Sequence, residues 1–172
     1  MPGFCAGVRG ARLTLMEASF EKLLVLLAKG TVRFVVVGGV AVAIQGYVRL
    51  TEAVDLLIDA AAENIDRMLK VLGGYGEGFA RELSPVDFAG EEGAIRIVEE
   101  SEQMQIDIFT LMSGKRFADV IGDADRFDVG GYAIAVASKR SLIGWKERSE
   151  REKDRLDVIA LRQLLENPEA FD

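Results

Sequence analysis

Two aspartates lie inside otherwise apolar, strand-like runs, and their placement could support chemistry. Asp55 interrupts the run 54–58 and Asp107 interrupts the run 106–109. Burying an isolated carboxylate costs free energy unless a cation or hydrogen-bond donors satisfy it. Each acid therefore indicates either a metal site or a structural ion pair, and both interpretations stay open. The candidate partners for structural pairs are Arg49, Arg96 and Lys146.

Composition restricts the chemistry that such residues can perform. The 172-residue chain contains no histidine and a single cysteine, Cys5. This excludes Ser-His-Asp and Cys-His nucleophiles, histidine general bases, thiolate metal cages and intrachain disulfides. A net charge of −7 argues against a module that holds duplex DNA by a basic surface. No apolar run approaches the ~18 residues of a membrane helix. We therefore expect a cytoplasmic protein without a membrane partner.

A Gly-Gly pair follows the first apolar strand. The β-branched run 32–37 ends at Gly38 and Gly39, and the Ala-rich run 40–46 then predicts a short helix. Backbone N–H groups at such a strand–turn–helix junction can hold a phosphate group. A tight turn with close helix packing is the alternative interpretation.

The remaining hydrophobic patterns predict one α/β domain over residues 1–172. Apolar residues at helical spacing predict helices over 15–29, 60–72, 117–121, 141–148 and 154–165. Strands are predicted over 54–58, 94–99, 104–109 and 132–136, with 94–99 and 104–109 forming an antiparallel hairpin. The glycine-rich residues 73–93 indicate a loop, and residues 1–12 a loose arm.

In order along the chain, these motifs resemble the nucleotidyltransferase superfamily. The resemblance is to the small bacterial branch around the AbiEii-type toxins and MNT-like antitoxins, in which Gly-Gly precedes Arg-x-Thr-x-Asp-hydrophobic-Asp. The matching segments are 37–41, 46–51 and 54–58, with a later carboxylate at Asp107. Lys146, followed by Lys153-Asp154-x-x-Asp157, is similar to the ending of this branch.

The resemblance implies an α/β (α+β) fold with a short mixed sheet flanked by helices, including C-terminal helices. It implies that Asp55 and Asp107 are catalytic and bind Mg²⁺, and that two ions orient the phosphates of an NTP such as ATP. The acceptor would be a hydroxyl of a protein, an RNA or a small molecule, and a cognate toxin or antitoxin is an expected partner. The implied nucleotide-binding residues are Gly38, Gly39, Arg49, Thr51, Lys146 and Lys153.

One position departs from the pattern of this family. Ala53 stands where the first aspartate of the triad is expected. Glu52 would face the opposite side of the strand and Asp59 lies beyond its end, so neither replaces it. Three functions remain: a weakened transferase, a degenerate nucleotidyltransferase-fold module that binds a partner, or a purely structural partner-binding protein without nucleotide affinity. Thr51 is equally explained as a strand-entry residue, and the charges of 146–155 as a solvated helix face.

Overall fold

A mixed β-sheet forms the centre of the computed structural model, which describes residues 8–10, 18–51, 53–89 and 93–172. Within these residues the sheet has seven strands in the order β1-β6-β7-β2-β3-β5-β4. They are β1 Val8–Gly10, β2 Phe34–Val37, β3 Ala53–Ile58, β4 Ala94–Glu99, β5 Met104–Phe109, β6 Asp125–Val129 and β7 Tyr132–Val136.

The pairing of the central strands sets the position of the two aspartates. Strand β3 runs antiparallel to β2 and parallel to β5, so Val37 faces Asp55 and Asp55 faces Asp107 in register. Every residue of β2 is buried, as the β-branched run predicts for a central strand. The mixed sheet therefore brings both acids next to the end of β2, where the Gly-Gly pair begins.

Six α-helices flank the sheet within the described residues. They are α1 Ala18–Lys29, α2 Gly38–Gln45, α3 Ala62–Gly73, α4 Phe117–Val120, α5 Lys139–Lys146 and α6 Glu152–Glu166. The leucine stripe of α1 is buried, and α2 is buried over its last seven residues. Helices α5 and α6 contact each other and both contact α2. This arrangement confirms the predicted mixed sheet with flanking and C-terminal helices. None of the described helices has the length and apolarity needed to cross a lipid bilayer.

Three segments differ from the sequence-based predictions. Residues 73–93 were predicted as a loop, yet they contain two 3-10 turns, Phe79–Glu82 and Pro85–Phe88. Strand β6 was not predicted, because three of its five residues are charged. Val8–Gly10 lies in the predicted loose arm but pairs in parallel with β6. The other residues of that arm, and 15–17 of the first predicted helix, lie outside the described residues.

Candidate functional site

A cleft of ≈ 770 Å³ opens beside the N-terminus of α2 and the strands β3, β4 and β5. All eight residues predicted for the site line this cleft. They are Gly38, Gly39, Arg49, Thr51, Asp55, Asp107, Lys146 and Lys153. Their position does not by itself assign the predicted catalytic or binding roles. The lining also includes residues that were not among the predicted site residues, namely Arg96, Gln103, Gln105 and Arg151. The motifs that are far apart in sequence therefore form one concave surface.

The two glycines let the turn after β2 approach the acids closely. Gly38 has φ +66°, which only glycine adopts readily, and a Cβ there would overlap the Oδ2 atom of Asp55. A Cβ on Gly39 would lie 2.8 Å from Thr51 Oγ1 and 3.2 Å from Arg49 Nη2. Close packing therefore explains both glycines, and the same packing leaves the start of α2 at the cleft surface.

Asp55 and Asp107 form an electrostatically coupled pair. The pKa of Asp55 is raised to about 6, chiefly by burial and then by the charge of Asp107 and a hydrogen bond with it, against the opposing effect of Lys146 and Arg151. Near neutral pH the cleft thus keeps a carboxyl group that gains a proton more readily than an ordinary aspartate.

Asp107 has a structural partner, as one of the two interpretations of the strand acids predicted. Arg96 lies opposite it in the β4–β5 register. Its Nε donates to Oδ1 at 2.9 Å and its Nη2 donates to Oδ2 at 3.2 Å. Among the three candidate partners, Arg96 is the one that pairs with a strand acid.

The other two candidate partners, Arg49 and Lys146, pair with acids of α6. Arg49 donates to both carboxylate oxygens of Asp157 at 2.7 Å. Lys146 lies 2.9 Å from both Asp154 and Asp157, and Asp157 is fully buried. The Lys-Asp-x-x-Asp ending thus holds two cations at the wall of the cleft.

The pKa of Asp154 reflects its place in this network. Burial alone would raise the pKa of its carboxyl, but hydrogen bonds from Ser149, Lys146 and Arg151 hold it well below the ordinary value. The acid is therefore charged at all physiological pH values and keeps Lys146 in place.

The lining of the cleft is cationic although the chain is acidic. Five cationic side chains and two carboxylates line it, in a chain of net charge −7. Lys153 is exposed and forms no ion pair with any residue that the structure describes. Residues 146–155 are therefore only partly a solvated face, because Lys146, Arg151 and Lys153 reach the cleft. A concave surface of this kind attracts a polyanion.

The donor set of the cleft does not fit the two Mg²⁺ ions that the family resemblance implies. Ala53 lies opposite Gln105 in the β3–β5 register and supplies no oxygen ligand from its side chain. Within the described residues no group of three or more acidic, histidine or cysteine side chains could hold a metal ion. Glu52 lies outside the described residues. Asp107 already accepts two hydrogen bonds from Arg96, so its oxygens face a cation of the chain itself.

Comparisons with known proteins identify the fold. No family model matches the chain, and no curated protein matches it. Among solved structures, the chain is similar to an antigenic nucleotidyltransferase-like protein from Paracoccidioides brasiliensis. The TM-score is 0.51 at 18% identity, and the match covers 90% of this chain and 78% of that chain. The chain therefore has a nucleotidyltransferase-like fold, as the motifs predicted.

Proposed function

We propose that this nucleotidyltransferase-like chain binds a nucleoside triphosphate, such as ATP, in the cleft and does not carry out two-metal nucleotidyl transfer. The observation that carries the proposal is the cationic cleft lining in a chain of net charge −7. Five cations line the cleft with Asp55 and Asp107, and the buried Asp154 and Asp157 pair with three of these cations. The cations still exceed the four acids by one, which favours an anionic ligand such as a triphosphate.

The start of α2 at Gly38 and Gly39 supports binding of a phosphate group. The first turn of α2 leaves backbone N–H groups without helical partners, and this helix end borders the cleft. Thr51 Oγ1 lies beside the same turn and donates to the carbonyl of Ala53 at 3.2 Å. Backbone donors, a hydroxyl and cations therefore converge on one volume.

Ala53 favours nucleotide binding without nucleotidyl transfer, because its side chain has no carboxylate to hold a metal ion. Two-metal transfer uses acidic ligands to clamp the ions that bridge the attacking and leaving oxygens. Here Asp55 and Asp107 remain, but Arg96 holds Asp107 and the third acid is absent. The second candidate function, Mg²⁺-dependent transfer of a nucleotidyl group to a hydroxyl of a protein, RNA or small molecule, is favoured only by these two retained acids.

The binding proposal is tested by calorimetric titration with ATP. We expect saturable binding that weakens in Lys153→Gln, because this exposed lysine loses a charge at the ligand. Lys29→Gln removes an equal charge on an exposed residue of α1 that does not line the cleft, and should leave the affinity unchanged. Absence of binding by the unaltered chain would contradict the proposal.

The transfer question is tested with ATP labelled in its α-phosphate, incubated with cell extract and Mg²⁺. We expect no label to become covalently attached by the unaltered chain. Transfer by the unaltered chain would favour the second candidate function, whereas transfer only by Ala53→Asp would show that the missing carboxylate is the cause.

A cellular role as a binding partner in a toxin–antitoxin pair, in the cytoplasm, extends the same proposal. It is supported by the order of the motifs from Gly38 to Asp157, which resembles that of the toxin–antitoxin branch. Co-purification of the tagged chain from its own cells, with identification of any stoichiometric protein, tests this extension.

A further inference from the structure

We infer that Arg96 supplies the positive charge that a divalent cation supplies in a two-metal site, so that the cleft takes its polyphosphate ligand in the metal-free form. The inference rests on the proposed function and names the form of the ligand that the site selects. It follows from the observation that, among the residues that the structure describes, the cleft offers too few acidic ligands to hold two Mg²⁺ ions.

The guanidinium of Arg96 occupies the space next to the acid pair. Arg96 faces Asp107 across the β4–β5 ladder, and Asp107 faces Asp55 across the β3–β5 ladder. The Nε and Nη2 atoms of Arg96 lie 2.9 Å and 3.2 Å from the two oxygens of Asp107. Both Asp107 and Asp55 raise the pKa of Arg96, because both carboxylates favour its charged form. The chain itself thus holds a cation on Asp107, close enough to Asp55 to interact with its charge.

Gln105 completes an oxygen environment that suits a guanidinium. With its amide oxygen turned toward Arg96, Gln105 accepts hydrogen bonds from Nη2 at 3.2 Å and from Nε at 3.1 Å. Its neighbour across the β3–β5 ladder is Ala53, where the family pattern has an acid. The combination of alanine and glutamine removes one negative charge and keeps a neutral acceptor. The local charge therefore matches one arginine rather than two divalent ions.

Arg96 keeps donors for a ligand after it has bound Asp107. A guanidinium has five N–H groups, and Nη1 donates to no acceptor among the described residues. The side chain is 60% exposed and borders the cleft together with Gly38 and Lys153. Planar N–H groups of this kind pair with phosphate oxygens in a bidentate geometry. Arg96 can therefore bridge Asp107 and a ligand phosphate.

The charge balance favours a free polyphosphate over its Mg²⁺ complex. A bound Mg²⁺ ion neutralises part of the phosphate charge and requires oxygen ligands of its own. In this cleft it would meet Arg96, Arg151 and Lys153 with one acid already paired. The uncomplexed ligand keeps its full charge for these cations, so its attraction to the cleft is greater.

The test compares calorimetric titrations of the intact chain with ATP in excess EDTA and in saturating Mg²⁺. We expect binding in EDTA that is at least as tight as in Mg²⁺. Binding only in Mg²⁺ would overturn this inference and leave the proposed function standing. An absence of binding in both buffers would overturn the proposed function as well. This comparison requires no variant, so it stays decisive if an altered chain does not fold.

Three arginine variants assign the effect to Arg96. In EDTA, Arg96→Gln should weaken ATP binding by about tenfold or more, since charged hydrogen bonds are lost. Arg96→Lys should give an intermediate loss, because the charge remains and the bidentate geometry does not. Arg140→Gln removes the same charge from an exposed residue that does not line the cleft and should leave the affinity unchanged. Wild-type affinity in a folded Arg96→Gln chain would contradict the role of Arg96.

Discussion

Asp55 shows how a single residue departs from what folding stability alone would select. Its side chain is mostly removed from solvent, lies beside a second carboxyl and contacts the Gly38 turn. Burial raises its pKa to about 6, so above that pH the folded state contains a charged group that the unfolded chain solvates better. A residue that costs stability at neutral pH is expected at a functional site rather than in a structural core.

Replacement of Asp55 by asparagine should therefore stabilise the protein in a pH-dependent way. The pKa is raised from 3.8 to about 6, so the charged form costs on the order of 2–3 kcal/mol above pH 6. The cost vanishes below the unfolded-state pKa of about 4. We expect Asp55→Asn to raise the free energy of unfolding at pH 8 and to have little effect at pH 4. Urea denaturation at both values measures this, with the exposed Asp66→Asn as control. Destabilisation at pH 8 would contradict the account.

Gly38 is a second residue of the cleft whose replacement should change both stability and binding. Any side chain there is strained at φ +66° and overlaps the Asp55 carboxyl. We expect Gly38→Ala to lower the free energy of unfolding by about 2 kcal/mol or more and to weaken ATP binding. Gly144→Ala, inside α5 with open space around its Cβ, should instead stabilise by about 0.5–1 kcal/mol. Thermal unfolding of both variants separates the two effects, and equal melting temperatures would refute the argument.

Strands and helices were predicted correctly where the local hydrophobic pattern was clear. The apolar runs around Asp55 and Asp107 predicted strands β3 and β5, and the run 40–46 predicted α2, which begins two residues earlier, at Gly38. Strand β6 was missed although Phe127 and Val129 are buried in alternation with exposed charges. That alternation is the period of a strand with one exposed face, and it was too short to stand out among the charges.

The sequence predicted only part of the cleft, because several of its contacts have no local sequence pattern. Gln105 lies two residues before Asp107 on the same strand, so period-two spacing could have placed it on the same face. The pairing of Arg96 with Asp107 depends on the β4–β5 register, which the sequence leaves undetermined among several partners. The pairing of Arg49 with Asp157 joins segments 108 residues apart and has no local signal.

The segment between α3 and β4 is held by one buried acid. Glu99 accepts hydrogen bonds from the backbone N–H groups of Glu77 at 2.8 Å and Phe79 at 3.1 Å. We expect Glu99→Ala to destabilise the protein by about 2 kcal/mol, because two backbone donors lose their charged acceptor. Glu100→Ala, at the exposed neighbour, should change stability by less than about 0.5 kcal/mol. Hydrogen exchange at the amides of Glu77 and Phe79 would reveal the released segment, and unchanged protection in Glu99→Ala would contradict this account.

For the whole molecule, the buried ion network joins the C-terminal helices to the cleft. Asp157 on α6 contacts Arg49, which follows α2, and Lys146 at the end of α5. The network therefore fixes α5 and α6 against the sheet-bound part of the fold. Asp157 is fully buried behind Arg49 and Lys146, which line the cleft.

Loss of the Asp157 charge should loosen the molecule as a unit. We expect Asp157→Asn to lower the free energy of unfolding by about 3–5 kcal/mol, because Arg49 loses its carboxylate partner and the buried Lys146 keeps only Asp154. Glu166→Gln, at the exposed end of the same helix, provides the matched control and should be close to wild type. Urea denaturation measures both. Equal stability of the two variants would show that the network does not hold the helices.

The cleft binds nucleotide phosphates with the chain's own cations, according to the functional proposal. A crystal grown with ATP and Mn²⁺ and measured at the manganese edge would test this. We expect a triphosphate between the Gly38–Gly39 turn, Arg96 and Lys153, and no anomalous peak between Asp55 and Asp107. An ordered nucleotide bound elsewhere, or an anomalous peak between the two aspartates, would contradict it.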